Sequence, residues 1–400
     1  MRRVHVLTVA AVTGIVVFAG APLSSAEAQQ ASKVRGVTKN EIVIGMHTDL
    51  SGVAASYGVH SSQAMRLRID EVNEQGGIYG RKLRLIVEDN QYQVPRAVQA
   101  ANKLINRDNI FIMAGALGTP MNNAVLPDQL KAGVINFSPI TAARQMSEPF
   151  HKLKFAGLSS YYDQIRAGMK WMVANKGKKR FCTLYQDTDF GKEILEAVQD
   201  QAKAMNLVVI ETASNTPIAT DFTSQITKLR SANCDIVVMG TIVRDAIVPY
   251  GTARKMGWDV DFLGQSANYD QIVAGAPGGV TEGMYVMAGT VMPYRDTASP
   301  QVAAFMDKYK AKFGSDANIG AVYGYGLMDQ LIFAFDRAGK DLTTDKMVAA
   351  IESIQGFRDI FGGPAVSYGP NKHQGADEAF LFQVQKSRFV QIAGPVRYGM

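Results

Sequence analysis

Residues Ile112 to Asn123 read IMAGALGTPMNN. The apolar run Phe111 to Ala114 has the character of a buried strand, Gly115 to Gly118 that of a tight turn, and Asn122 to Leu130 that of a helix. The expected junction is a strand feeding a helix N-terminus, with Thr119 as N-cap and Pro120 at the first helical position. Unpaired backbone N–H groups at such a turn, together with the positive end of the helix dipole, suit a small anion such as a carboxylate.

On either side of this junction the same alternation repeats. Ile42–Met46, Leu83–Glu88, Val134–Phe137 and Lys154–Ala156 read as further strands, with helices at Ser61–Gln75 and Pro95–Asn106 between the first of them. A second unit follows. Its strands are Phe181–Tyr185, Val208–Thr212, Ile236–Gly240, Phe262–Gly264 and Met284–Ala288, and its helices are Tyr162–Asn175, Gly191–Met205, Asp221–Ala232 and Arg244–Met256. Helices Pro300–Phe313 and Asn318–Ala338 and a strand pair, Phe380–Gln385 with Arg388–Ile392, complete the chain. Strands alternating with amphipathic helices predict parallel sheets covered on both faces, here two similar doubly wound α/β lobes with ligand at the carboxyl ends of their strands.

The 400 residues are 47% hydrophobic and 20% charged, enough for a large core and for two domains. Residues 1–28 are set apart: Arg2 and Arg3 precede an apolar run from Val6 to Phe18, and Ala26-Glu27-Ala28 has the form of a signal-peptidase site. The run is too short for a membrane span of about 20 residues. The general secretory route fits better than twin-arginine export, because His5 interrupts the apolar pair expected after Arg2-Arg3. With no cysteine at the cleavage site, a periplasmic protein without lipid anchor or direct membrane insertion is expected. Removing Arg2, Arg3 and Glu27 leaves 40 Lys and Arg against 35 Asp and Glu, a net +5. Scattered single charges, with Lys176-Gly-Lys-Lys-Arg180 read as a solvated turn, make no case for nucleic acid. Cys182 and Cys234 are both assigned to core strands of the second unit. Side chains on parallel neighbours seldom meet disulfide geometry, so two buried thiols are expected although the compartment permits a bond.

Seven ordered segments carry a resemblance: EIVIGMHTDLSGVAASYG (41–58), NEQGGIYGRKLRLIVEDNQ (73–91), FSPITA (137–142), AGLSSYYDQ (156–164), YQDTDFG (185–191), DFTSQITKL (221–229) and EGMYVM (282–287). In this order and spacing the chain resembles the leucine/isoleucine/valine-binding protein family, the substrate-binding components of ABC importers with the type I periplasmic fold. The resemblance implies a chain crossing three times between lobes. Lobe one would be 29–157 plus 292–368 and lobe two 158–291 plus 369–400, with crossings near 157–161, 290–293 and 368–374. It also implies a membrane permease as partner, a small carboxylate as ligand, and no cofactor.

Carried over by motif, Thr119 stands at the family's first contact serine. Ile140, Thr141 and Ala142 stand in its second contact turn, where Ile140 replaces a small residue, Ala142 replaces the hydroxyl-bearing threonine, and Thr141 offers a substitute donor. Tyr57 matches an aromatic residue over the side-chain pocket, there expected in a loop. Phe190 and Ile242 stand where the family has tyrosines from lobe two. Ser266 stands where its amino-acid binders have the glutamate that pairs with the ligand's ammonium. An ammonium in a closed cleft without a carboxylate costs several kcal/mol. The expected ligand is therefore a carboxylate without an α-amine, such as an aromatic acid, with Tyr161, Tyr162 or Tyr269 adding to its surroundings. A branched-chain or other hydrophobic amino acid stays open if Asp49, Asp187, Asp189 or Asp245 replaces the lost acid. So does a ligand-presenting sensor subunit. An enzyme is not expected: no nucleophile-elbow, zinc-helix or phosphate-loop pattern occurs, and His47, His60, His151 and His373 have no metal-ligand spacing.

Overall fold

The computed structural model describes Met1 and residues 34–398, so the expected signal segment, apart from Met1, lies outside the described residues. The first sheet is built from β1 (Glu41–Thr48), β2 (Lys82–Asp89), β3 (Ile112–Ala114), β4 (Ile135–Phe137) and β5 (Lys154–Phe155). Its order is β2-β1-β3-β4-β5 and every pairing is parallel. Seven of the eight residues of β1 are buried, as a strand covered on both faces requires. Between these strands run α1 (Ala55–Glu74), α2 (Val94–Asn102) and α3 (Thr119–Lys131).

The second sheet comprises β6 (Phe181–Gln186), β7 (Glu211–Asn215), β8 (Ile236–Gly240), β9 (Asp261–Gly264), β10 (Tyr285–Ala288), β11 (Glu378–Gln385) and β12 (Arg388–Arg397). Its order is β12-β11-β10-β9-β8-β6-β7, parallel except for β10–β11 and β11–β12. Around it lie α4 (Tyr161–Lys176), α5 (Asp189–Ala204), α6 (Thr223–Ser231), α7 (Val243–Lys255) and the short α8 (Gln271–Ala274). The chain thus forms two α/β lobes, as its alternation predicts. After β10 come α9 (Pro300–Phe313), α10 (Ile319–Ala338) and α11 (Thr344–Glu352). Leu327, Met328, Leu331 and Phe335 of α10 bury themselves in the core of the first sheet. Close approach is possible because α10 has glycine where it meets α1: a Cβ on Gly324 would sit 2.2 Å from the Ser61 carbonyl oxygen.

Several local expectations are corrected. Helix α1 begins at Ala55 rather than Ser61, because the buried Asp49 carboxylate accepts the N–H groups of Ser51 and Ala54 and turns the chain early. Strand β7 lies later than Val208–Thr212: the ladder pairs Cys182 with Glu211, leaving Val208 74% exposed on the approach. Helix α11 adds an element to those expected from the sequence.

The two-thiol expectation is also wrong. Cys182 and Cys234 form a disulfide across a Cα–Cα distance of 5.9 Å. The premise failed at Cys234, which lies in the turn between α6 and β8, not on a strand. Its side chain is therefore free of the sheet's alternation and can reach Cys182 on β6.

Candidate functional site

Loops at the carboxyl ends of β1, β3 and β4 face loops at the carboxyl ends of β6, β8 and β9, and a cavity lies between them. In each sheet this is where the strand order reverses, at β1/β3 and at β6/β8. Of the residues expected at a ligand site, Tyr57, Thr119, Ile140, Thr141, Phe190, Ile242 and Ser266 all line this one cavity. Ala142 does not. It is buried beside the cavity, where its carbonyl accepts the Tyr161 N–H at 2.8 Å.

One end of the cavity is built on the 112–123 junction. The cap of α3 is Gly118, with φ +95°, while Thr119 and Pro120 are the first two helical residues. The expected Thr119 cap is thereby corrected. Glycine suits this position because φ +95° is a backbone conformation that side-chain-bearing residues rarely adopt. Freed from capping, the Thr119 hydroxyl shares a 2.7 Å hydrogen bond with the Thr141 hydroxyl. The Thr119 backbone N–H, at the first position of α3, has no intrahelical acceptor. Tyr161 closes this end. Burial pushes its phenol up to about 12, so it stays a neutral donor.

The other end belongs to Tyr57 and Ser266. Tyr57 sits in the first turn of α1, not in a loop, and its hydroxyl donates to the backbone carbonyls of Ser266 at 3.1 Å and Tyr269 at 3.2 Å. Ser266 gives both its hydroxyl (2.7 Å) and its N–H (3.0 Å) to the uncharged Gln164 Oε1. Between the ends the walls are apolar: Phe190 meets the Tyr161 ring edge-on at 5.1 Å, and Ile242, Ile140, Leu117, Leu158 and Val243 fill the rest. Among the described residues no charged side chain lines the cavity.

The acids considered as replacements for the glutamate are engaged elsewhere. Asp49 holds the turn before α1, Asp187 pairs with Lys192, Asp189 accepts from Asn123, and Asp245 pairs with Arg244, burial pushing it up to about 6. Tyr162 faces outward, its hydroxyl on Asp200 and Arg144 over its ring, and Tyr269 packs against Phe382 and Phe389 in the second core. Sequence reasoning missed Tyr92, Leu117 and Tyr323. Tyr92 directly follows the β2 loop start and Leu117 lies inside the junction itself, so the strand-end rule could have named both. Tyr323, in the apolar first half of α10, carries no such signal. Among the described residues no group of three or more His, Cys, Asp or Glu could hold a metal ion, and no helix is long and apolar enough to cross a membrane.

Residues 41–388 match the model of a family described as periplasmic binding protein. A Leu/Ile/Val-binding protein homolog 8 of Brucella melitensis is 23% identical over 372 residues, covering 88% of this chain and 90% of its own. A fatty acid ABC transporter substrate-binding protein from Thermomonospora curvata superposes with TM-score 0.82 at 23% identity over 91% of this chain and 94% of its own. An ABC transporter solute-binding protein from R. palustris in complex with benzoate superposes with TM-score 0.78 at 16% identity, over 88% and 96%. At these identities the structural likenesses speak for the fold alone.

Proposed function

Because the chain belongs to the periplasmic binding protein family, we propose that it is the solute-binding subunit of an ABC importer of the branched-chain amino acid type, and that its ligand is an aromatic or other organic acid without an α-amine. The observation that carries the ligand class is the charge of the cavity. Thr119, Thr141 and the α3 N-terminus offer donors to a carboxylate, while nothing anionic lines the walls to neutralise an ammonium. An amino acid would bury its ammonium unpaired at a cost of several kcal/mol, and each 1.4 kcal/mol is about tenfold in affinity. The names of the relatives are compatible with such a range, since they include a Leu/Ile/Val-binding protein homolog, a fatty acid ABC transporter substrate-binding protein and a solute-binding protein in complex with benzoate.

The protein would act in the periplasm and deliver its ligand to a membrane permease. Its lobes would be 29–157 with 292–368 and 158–291 with 369–400, closing on the ligand about crossings near 157–161, 290–293 and 368–374. That the first sheet ends at Phe155, and that β11 and β12 return to the second sheet, supports this division. Isothermal titration of ligand-free protein with benzoate, coumarate and leucine tests the reading. Micromolar heat from an aromatic acid with none from leucine is expected; micromolar leucine beside silent acids would sink it.

A further inference from the structure

The cavity's two ends differ in how their hydroxyl groups are occupied. At the end opposite the Thr119–Thr141 pair, Tyr57 donates to backbone carbonyls and Ser266 donates to Gln164. Tyr323 is the exception. This residue of α10 lines the cavity, is only 8% exposed, and stacks on Tyr57 at a ring separation of 6.2 Å. Its phenol oxygen is buried with no hydrogen-bond partner at normal distance; the Ser266 hydroxyl is near enough to influence it but is itself committed to Gln164. A buried O–H without an acceptor is costly, and Tyr323 stands in the wall of the ligand cavity, with a second cavity on its other side.

We propose that Tyr323 is a specificity residue whose hydroxyl donates to a second oxygen of the ligand, so that the preferred acid carries a hydroxyl, carbonyl or ether oxygen remote from its carboxylate. This rests on the reading of the ligand as an amine-free carboxylate. The two ends then read different groups: hydroxyls and a helix terminus hold the charged end, and one phenol proton selects oxygenated over plain hydrocarbon bodies. A ligand that ended in a hydrocarbon would leave the phenol unpaired in a dry site, which is the stronger form of discrimination.

Titration of the wild-type protein with benzoate, 3-hydroxybenzoate and 4-hydroxybenzoate tests this. One hydroxy acid is expected to bind about tenfold more tightly than benzoate. In Tyr323→Phe, which keeps the ring and its stacking, that preference should collapse to within about twofold. Equal affinities in the wild type, which needs no variant to fold, would overturn the inference and leave the parent reading standing; so would a preference that survives in Tyr323→Phe. Failure of all three acids to bind beside micromolar binding of leucine would overturn the parent reading and this one with it.

Discussion

Two hydroxyl groups joined by one hydrogen bond keep one proton in hand. Thr119 and Thr141 are such a pair at 2.7 Å, and the Ala143 N–H donates to the Thr141 oxygen at 3.3 Å. Whichever threonine donates within the pair, the other retains an O–H that can turn to a carboxylate entering the cavity. A hydrogen bond to a charged acceptor contributes roughly 1.5–3 kcal/mol, so Thr119→Val, which keeps the shape and removes the donor, should weaken binding of the acid about ten- to a hundredfold. Calorimetric titration measures this, and an unchanged dissociation constant would remove Thr119 from the anchor. The role assigned to this residue from sequence and the geometry around it part company in one respect. Its place at the strand-to-helix junction was legible from the glycine spacing and Pro120. Its release from capping was not, because that depends on Gly118 taking φ +95°.

At the scale of elements, periodicity carried most of the architecture. The core strands β1, β6 and β8 are largely apolar and buried along nearly their whole length, and such strands can be placed from sequence because parallel strands are buried on both faces. Edges were less legible. The start of α1 depends on a buried Asp49 and the start of β7 on ladder register, and neither leaves a periodic signal. The disulfide shows the cost of a small boundary error: with Cys234 placed on a strand, pairing with Cys182 looks unfavourable, whereas in the α6–β8 turn it becomes accessible. That bond closes a separation of 52 residues, tying the α6–β8 turn to β6. Constraining the unfolded chain over a loop of that length stabilises the fold by about 2–4 kcal/mol. The double variant Cys182→Ala with Cys234→Ala should therefore unfold at lower denaturant by that margin, and thiol titration of the denatured, unreduced wild type should find no free cysteine. Two free thiols, or equal stability of the two proteins, would contradict the bond.

Across the whole molecule, the two lobes meet through more than the cavity. Asn123 on α3 donates to Asp189 on α5, and Arg144, in the loop after β4, reaches Glu193 and Glu196 on the same helix. Glu193 is the buried member of this set, with its Oε1 also accepting the Arg144 backbone N–H at 3.0 Å. Burial outweighs these contacts and pushes its carboxyl up to about 7. Between about pH 4.5, where the unfolded side chain ionises, and about pH 7, the folded protein keeps a proton that the unfolded chain has released. Stability from this group is thus greatest below that window and declines as pH rises through it, by up to roughly 3 kcal/mol. His47 works in the opposite sense: burial holds it neutral down to about 4, so its contribution grows with pH between there and its ordinary range. The net profile mixes both, and the difference between wild type and Glu193→Gln separates them. Denaturant unfolding from pH 4 to 8 should show the wild type losing stability relative to the variant as pH rises, with the gap constant above about pH 7. A difference that does not change with pH would mean that the Arg144 pair, rather than burial, governs the charge at this contact between the lobes.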